Sequence, residues 1–220
     1  MPERTRRRTF TAKHKLECWR SPREVREAGA RLLAADVNAV RVTHAGAVGT
    51  LTVIGHSYGS TTTGLALQRD HMQVDQVALI GSPGVGGDAQ TVAGLHLLPS
   101  QVCVGAASRD IVTMAHALSD DILGTDTLGA NPALDAFGAT AFKAESVNRG
   151  FDLALSDHSR YYDAAGQSES LYALADIATG HGDRLGADGI VGPTTPRGRH
   201  RQEQTAYRPA LRRPVHPSSS

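Results

Sequence analysis

Only two cysteines, Cys18 and Cys103, occur in the 220 residues, one in a basic leader and one inside an apolar run. That excludes a disulfide framework and offers no ligand spacing for a metal. Long apolar runs are missing too, since no stretch approaches the roughly 18 uninterrupted apolar residues that cross a bilayer. Aromatic residues make up 5% of the chain, and nowhere in its middle do they interleave with basic residues to form a nucleic-acid-reading surface. The formal net charge of +1 hides an asymmetry, because arginines crowd both ends while residues 32–183 are near neutral or acidic. Ends of that kind read as solvated tails. Arg7-Arg8-Thr9-Phe10 is similar to a twin-arginine export signal, but Lys13-His14-Lys15-Leu16-Glu17 is charged where such a signal needs an apolar stretch. The expectation is a cytoplasmic protein with neither nucleic acid nor membrane as a partner.

What is present is enough apolar residue, 40% of the chain, to bury one sizeable core. Residues 1–20 show no helical or strand period and read as a basic disordered leader. Ser21-Pro22-Arg23-Glu24 forms a capping box with proline at the first helical position, and Val25, Gly29, Leu32, Leu33, Val37 and Val40 supply a stripe. This predicts a helix over residues 22–40. Thr50-Leu51-Thr52-Val53-Ile54 is short, β-branched and bounded by glycines, the pattern of a strand buried on both faces. Val77-Ala78-Leu79-Ile80 and Val102-Cys103-Val104-Gly105 repeat it, with helix-compatible residues 60–67 after the first strand. Strands alternating with helices predict a mostly parallel α/β sheet covered on both faces. Residues 111–150 are irregular, residues 141–147 read as a last weak strand, and Leu171, Leu174, Ala175, Ile177 and Ala178 form a closing helix before Gly180. Residues 21–183 are thus the folded domain, and residues 184–220, rich in proline, arginine and serine, read as a disordered tail.

One motif carries chemistry. Gly55-His56-Ser57-Tyr58-Gly59 has the Gly-x-Ser-x-Gly form, directly after a buried strand and directly before a helix. A serine there sits on a sharp, strained turn that lifts its hydroxyl above the sheet edge, and Gly55 and Gly59 are expected to relieve the crowding around it. The Tyr58 backbone N–H, heading the helix, faces the place where an oxyanion would develop. A serine hydroxyl needs a base within hydrogen-bond reach and an acid that fixes the base's tautomer. In sheets with this elbow the chain order is Ser, acid, His. Asp110, just beyond the third strand, is the candidate acid, with Asp88 after the second strand as the alternative. Among later histidines, His200 and His216 fall in the tail, His181 closes the last helix, and His116 follows Asp110 too closely for a further strand to intervene. His158, in the polar loop Ser156-Asp157-His158-Ser159, is the candidate base.

Gly55-His56-Ser57-Tyr58-Gly59-Ser60-Thr61-Thr62, Gly81-Ser82-Pro83-Gly84-Val85, His158-Ser159 and Ser168-Glu169-Ser170-Leu171 together resemble a family of uncharacterised α/β-hydrolases of high-GC Gram-positive bacteria. The resemblance covers residues 21–182. It implies Ser57, Asp110 and His158 as a catalytic triad with no cofactor, and it names no substrate; the chemistry of an acylated serine points to a small-molecule ester, thioester or amide. Against that pattern, the strands that normally precede the elbow and the loop that supplies a second oxyanion donor have no counterpart upstream. The chain therefore reads as the carboxyl-terminal part of such a domain. Two readings stay open: an active serine hydrolase, or a non-catalytic remnant or interaction module. Either way the elbow strand is expected to expose an edge prone to self-association.

Overall fold

The short β-branched run at Thr52 leads straight into a helix of small residues, and that local order sets the architecture around it. The computed structural model describes residues 23–44, 49–110, 112–113, 128–145, 158–163 and 169–192. Four strands, β1 (Thr52–His56), β2 (Gln76–Ile80), β3 (Val102–Gly105) and β4 (Thr140–Phe142), lie parallel in the order β1-β2-β3-β4. The register sets Val53 opposite Val77, Val77 opposite Val102, and Gly105 opposite Phe142.

Successive side chains of a strand point to opposite faces, and the core divides accordingly. Val77, Leu79, Val102 and Val104 pack in one cluster with Ala30 and Ala34 of α1 (Arg23–Thr43) and Leu65 and Ala66 of α2 (Tyr58–Asp70). Ala78, Ile80 and Cys103 pack in the other with Phe142, Tyr161, and Ala173, Leu174 and Ile177 of α3 (Glu169–Ala178). Helices thus cover both faces, as the alternation predicted. Burial pushes the Cys103 thiol up to about 11, so it stays protonated and acts as a small core hydrophobe.

Three expectations are corrected. β1 is not buried on both faces: of its five residues only Gly55 is buried, because β1 stands at the end of the described sheet order. The stripe of α1 is not the large-residue one, since Val25, Leu32 and Val40 are exposed while Ala30 and Ala34 are buried and Leu33 and Val37 pack beside them. This face of α1 packs against α2, where a Cβ added at Gly29 would sit in ordinary contact, 3.8 Å from Thr62 Cγ2. Finally, residues 184–192 belong to the fold and not to the tail. Leu185 and Ile190 are buried, Lys143 N–H donates to the Ile190 carbonyl at 2.8 Å, and Val191 bridges Phe142. The leader, the capping residues Ser21 and Pro22, and residues 193–220 lie outside the described residues. Among the described residues no helix is long and apolar enough to cross a membrane.

Candidate active site

Ser57 sits between β1 and α2 with φ 57° and ψ −129°, a conformation that costs a non-glycine residue about 1–3 kcal/mol. Neighbouring groups hold it there. Its N–H donates to the Ile80 carbonyl at the end of β2 at 2.9 Å, and its carbonyl accepts from the Ser60 N–H at 3.0 Å and the Ser60 hydroxyl at 2.6 Å. Ser82 Oγ, 2.6 Å from Ser60 Oγ, accepts the Gly84 N–H at 3.1 Å, so the loop after β2 supports the turn after β1. Of the two flanking glycines, only one has the expected steric role. A Cβ at Gly55 would lie 2.9 Å from Ser60 Cα and 3.1 Å from the Gly59 carbonyl oxygen. At Gly59 it would meet nothing within 4 Å, because that exposed position opens outward from the first turn of α2.

Asp110 and His158, 48 positions apart in the chain, meet at the carboxyl ends of β2 and β3. His158 Nδ1 lies 3.0 Å from Asp110 Oδ1 and 2.9 Å from Oδ2. A carboxylate only accepts, so Nδ1 carries the hydrogen, and in the neutral imidazole Nε2 is then the nitrogen with the lone pair. Asp110 is fully buried and held from two further sides: the Val112 N–H donates to Oδ1 at 2.8 Å and the Tyr161 hydroxyl to Oδ2 at 2.8 Å. The His158 ring is placed relative to the elbow through Gly81, the residue after the Ile80 carbonyl that Ser57 N–H engages; a Cβ there would stand 3.0 Å from His158 Cε1.

A second histidine ties the elbow to the candidate base. His56 Nε2 lies 2.7 Å from the His158 carbonyl oxygen, which can only accept, so Nε2–H donates. The two imidazole centroids are 4.8 Å apart, and Tyr161 and Tyr162 meet the His56 ring edge-on at 5.7 and 5.8 Å. Burial pushes the His56 pKa down, outweighing the opposing effect of the His158 carbonyl, so the ring favours the neutral donor form.

The structure brings Asp110 and His158 together and joins the His158 carbonyl to His56, the residue before the strained Ser57, with Tyr58 at the first position of α2. It does not bring Asp88 there. Asp88 is exposed in the loop after β2, where its N–H donates to Gln68 Oε1. His181 is also exposed and sits against Thr179, while His116, His200 and His216 lie outside the described residues. Tyr161, His56 and Gly81 were not singled out from the sequence. A tyrosine pair three and four positions after a candidate base carries no pattern that would mark one of its members. Among the described residues no group of three or more His, Cys, Asp or Glu side chains is gathered that could hold a metal ion.

Residues 21–120 match the family model described as alpha/beta hydrolase. The chain is an α/β-hydrolase in fold and, over that stretch, in sequence family. Two relatives from Mycobacterium tuberculosis, the uncharacterized proteins Rv2079 of strain H37Rv and MT2140 of strain CDC 1551, are each 40% identical over 176 residues. The match takes in 74% of this chain and 26% of each relative, so the chain spans about a quarter of the length of the curated relatives it matches. No solved structure matches it significantly. The match ends after Asp110 and before His158, so its span takes in the Gly55–Gly59 elbow and the candidate acid but not the candidate base.

Proposed function

We propose that this α/β-hydrolase chain is a serine hydrolase that cleaves an ester, thioester or amide through an acyl-enzyme on Ser57. The observation that carries the reading is the hydrogen-bonded run from the Val112 N–H and Tyr161 hydroxyl through Asp110 to His158 Nδ1, beside a serine held at positive φ. In this reading Nε2 of His158 takes the Ser57 proton as Oγ attacks the acyl carbon, and returns it to the leaving alcohol, thiol or amine. The same nitrogen then takes a proton from a water whose oxygen bonds to the acyl carbon, and returns it to Ser57 Oγ as the bond from Oγ to that carbon breaks, releasing the acid and the free serine. Tyr58 N–H, heading α2, supplies one donor to the oxyanion.

A fluorophosphonate probe tests this directly, because it phosphonylates only an activated serine. The parent chain is expected to label and Ser57→Ala not to, with turnover of a p-nitrophenyl ester falling by several orders of magnitude. A folded parent chain that resists the probe would favour the other reading, an α/β-hydrolase domain without catalysis.

A further inference from the structure

Tyr161 is 1% exposed, and its ring belongs to the core cluster between the sheet and α3. Its hydroxyl nonetheless lies between two polar partners, 2.9 Å from the Ala107 N–H and 2.8 Å from Asp110 Oδ2. A phenol has a single hydrogen, and a backbone N–H can only donate. The direction of both bonds is therefore fixed: Ala107 donates to the phenol oxygen, and the phenol donates to the carboxylate.

The backbone of Tyr161 is pinned as well, because the fully buried Ser170 hydroxyl, in the first turn of α3, donates to the Tyr161 carbonyl at 2.7 Å. Tyr161 stands only three residues after His158, so one short segment delivers both the imidazole and the phenol to the same carboxylate. Oδ2 receives both of them, and Oδ1 receives Val112 N–H together with the other approach of Nδ1.

Resting on the hydrolase reading above, we propose that Tyr161 is a positioning residue that sets the orientation and the basicity of Asp110 toward His158. The phenol holds Oδ2 while the Val112 N–H holds Oδ1, and together they stop the carboxylate rotating in its pocket as it accepts from Nδ1. By drawing charge from Oδ2, it also moderates how strongly the carboxylate pulls on the Nδ1 hydrogen. The titratable groups around this pair are few on the described elements: His56 stacks on His158, and Glu145, bonded to Ser108 at the end of the β3 loop, acts on Tyr161 from a distance. Burial and the Asp110 charge hold the Tyr161 phenol well above its usual range, so it remains a donor throughout the pH range of an assay.

The test compares the parent chain, Tyr161→Phe, and the chain with 3-fluorotyrosine placed at position 161, which keeps volume and hydroxyl but makes a stronger donor. Two readouts are taken: the pH dependence of the fluorophosphonate labelling rate, and the low-field proton resonance of the His158 Nδ1–H. With Phe, labelling at neutral pH falls about tenfold, the loss of one hydrogen bond to a charged group. The acid limb of the profile then moves to higher pH, and the resonance moves further downfield. With fluorotyrosine both move the opposite way. If both variants keep the parent's melting behaviour and neither readout moves, Tyr161 is only a core residue and the proposal is wrong. Should Tyr161→Phe fail to fold because the Ala107 N–H loses its acceptor, the fluorotyrosine chain decides alone. Absence of labelling in the parent would sink the hydrolase reading, while the resonance would still judge whether Tyr161 controls the Asp110–His158 bond.

Discussion

Gly81 offers the most direct probe of whether the candidate site is assembled as described, because a single methyl group placed there would enter it. The residue follows β2 at φ +54°, and a Cβ would lie 2.9 Å from Asp110 Oδ2, 2.9 Å from Tyr161 Cε2 and 3.0 Å from His158 Cε1. Real Cβ atoms essentially never approach other atoms that closely, so Gly81→Ala forces the three side chains apart. Two costs combine: about 1–2 kcal/mol for a left-handed non-glycine backbone and about 1–3 kcal/mol for overpacking. The sum is roughly 2–5 kcal/mol of stability. Gly138 is the built-in control, since it has φ +82° but nothing within 4 Å of an added Cβ; Gly138→Ala carries only the backbone cost of about 1–2 kcal/mol. Urea unfolding of both variants measures the difference, and probe labelling measures the site. Gly81→Ala is expected to unfold at distinctly lower urea than Gly138→Ala and to lose labelling even where it is folded, while Gly138→Ala labels like the parent. Equal midpoints and equal labelling would refute the placement of His158 and Asp110 over the end of β2.

The remaining predictions concern the acid, the second histidine and the sheet edge. Asp110→Asn should lower ester turnover by about 10⁴-fold, as expected when the base loses its orienting carboxylate, whereas the exposed Asp88→Asn should leave it within twofold; the reverse ranking would move the acid to the loop after β2. His56 has a folded-state pKa below its unfolded value, so the unfolded chain binds its proton first and stability falls as pH drops below about 6.5. His56→Gln, which can still donate to the His158 carbonyl, should remove part of that acid sensitivity in melts taken between pH 7.5 and 5, and an unchanged pH dependence would count against it. Produced as these 220 residues, the chain should associate with rising concentration on a sizing column, because β1 pairs with a strand on one side only among the described residues; a monodisperse monomer at all concentrations would contradict this.

Much of the fold was legible because the buried strands announce themselves. Val77-Ala78-Leu79-Ile80 and Val102-Cys103-Val104-Gly105 are covered on both faces, so every side chain had to be apolar or small, and the sequence records that constraint residue by residue. β1 carries the same kind of residues at an edge, where burial is incomplete, and composition alone does not distinguish the two positions. The stripe of α1 was misread for a related reason. Hydrophobic size suggested Val25 and Leu32, but the face of α1 packed on the core carries Ala30 and Ala34, and a helix can bury its smaller residues while larger ones face outward. The end of the domain was placed too early because Gly186 and Gly189 resemble tail composition, although they carry Ile190 and Val191 back to β4.

The candidate site was legible only where chain order constrains it. Ser57 is marked by its pentapeptide, and Asp110 and His158 by the Ser, acid, His order together with their position after strands. Tyr161, His56 and Gly81 act through distance in space and leave no spacing rule behind. Their arrangement also explains why a rare backbone conformation at Ser57 can persist. The strained residue is joined at its N–H to β2 and at its carbonyl to Ser60, while the preceding residue, His56, donates to the carbonyl of His158 itself. An elbow that relaxed toward an ordinary strand-to-helix turn would give up these four bonds, at about 0.5–1.5 kcal/mol apiece or roughly 2–6 kcal/mol in sum, enough to offset the roughly 1–3 kcal/mol that the strain costs. The strained serine and the placement of its candidate base are therefore stabilised by the same contacts, and a change that frees one should loosen the other.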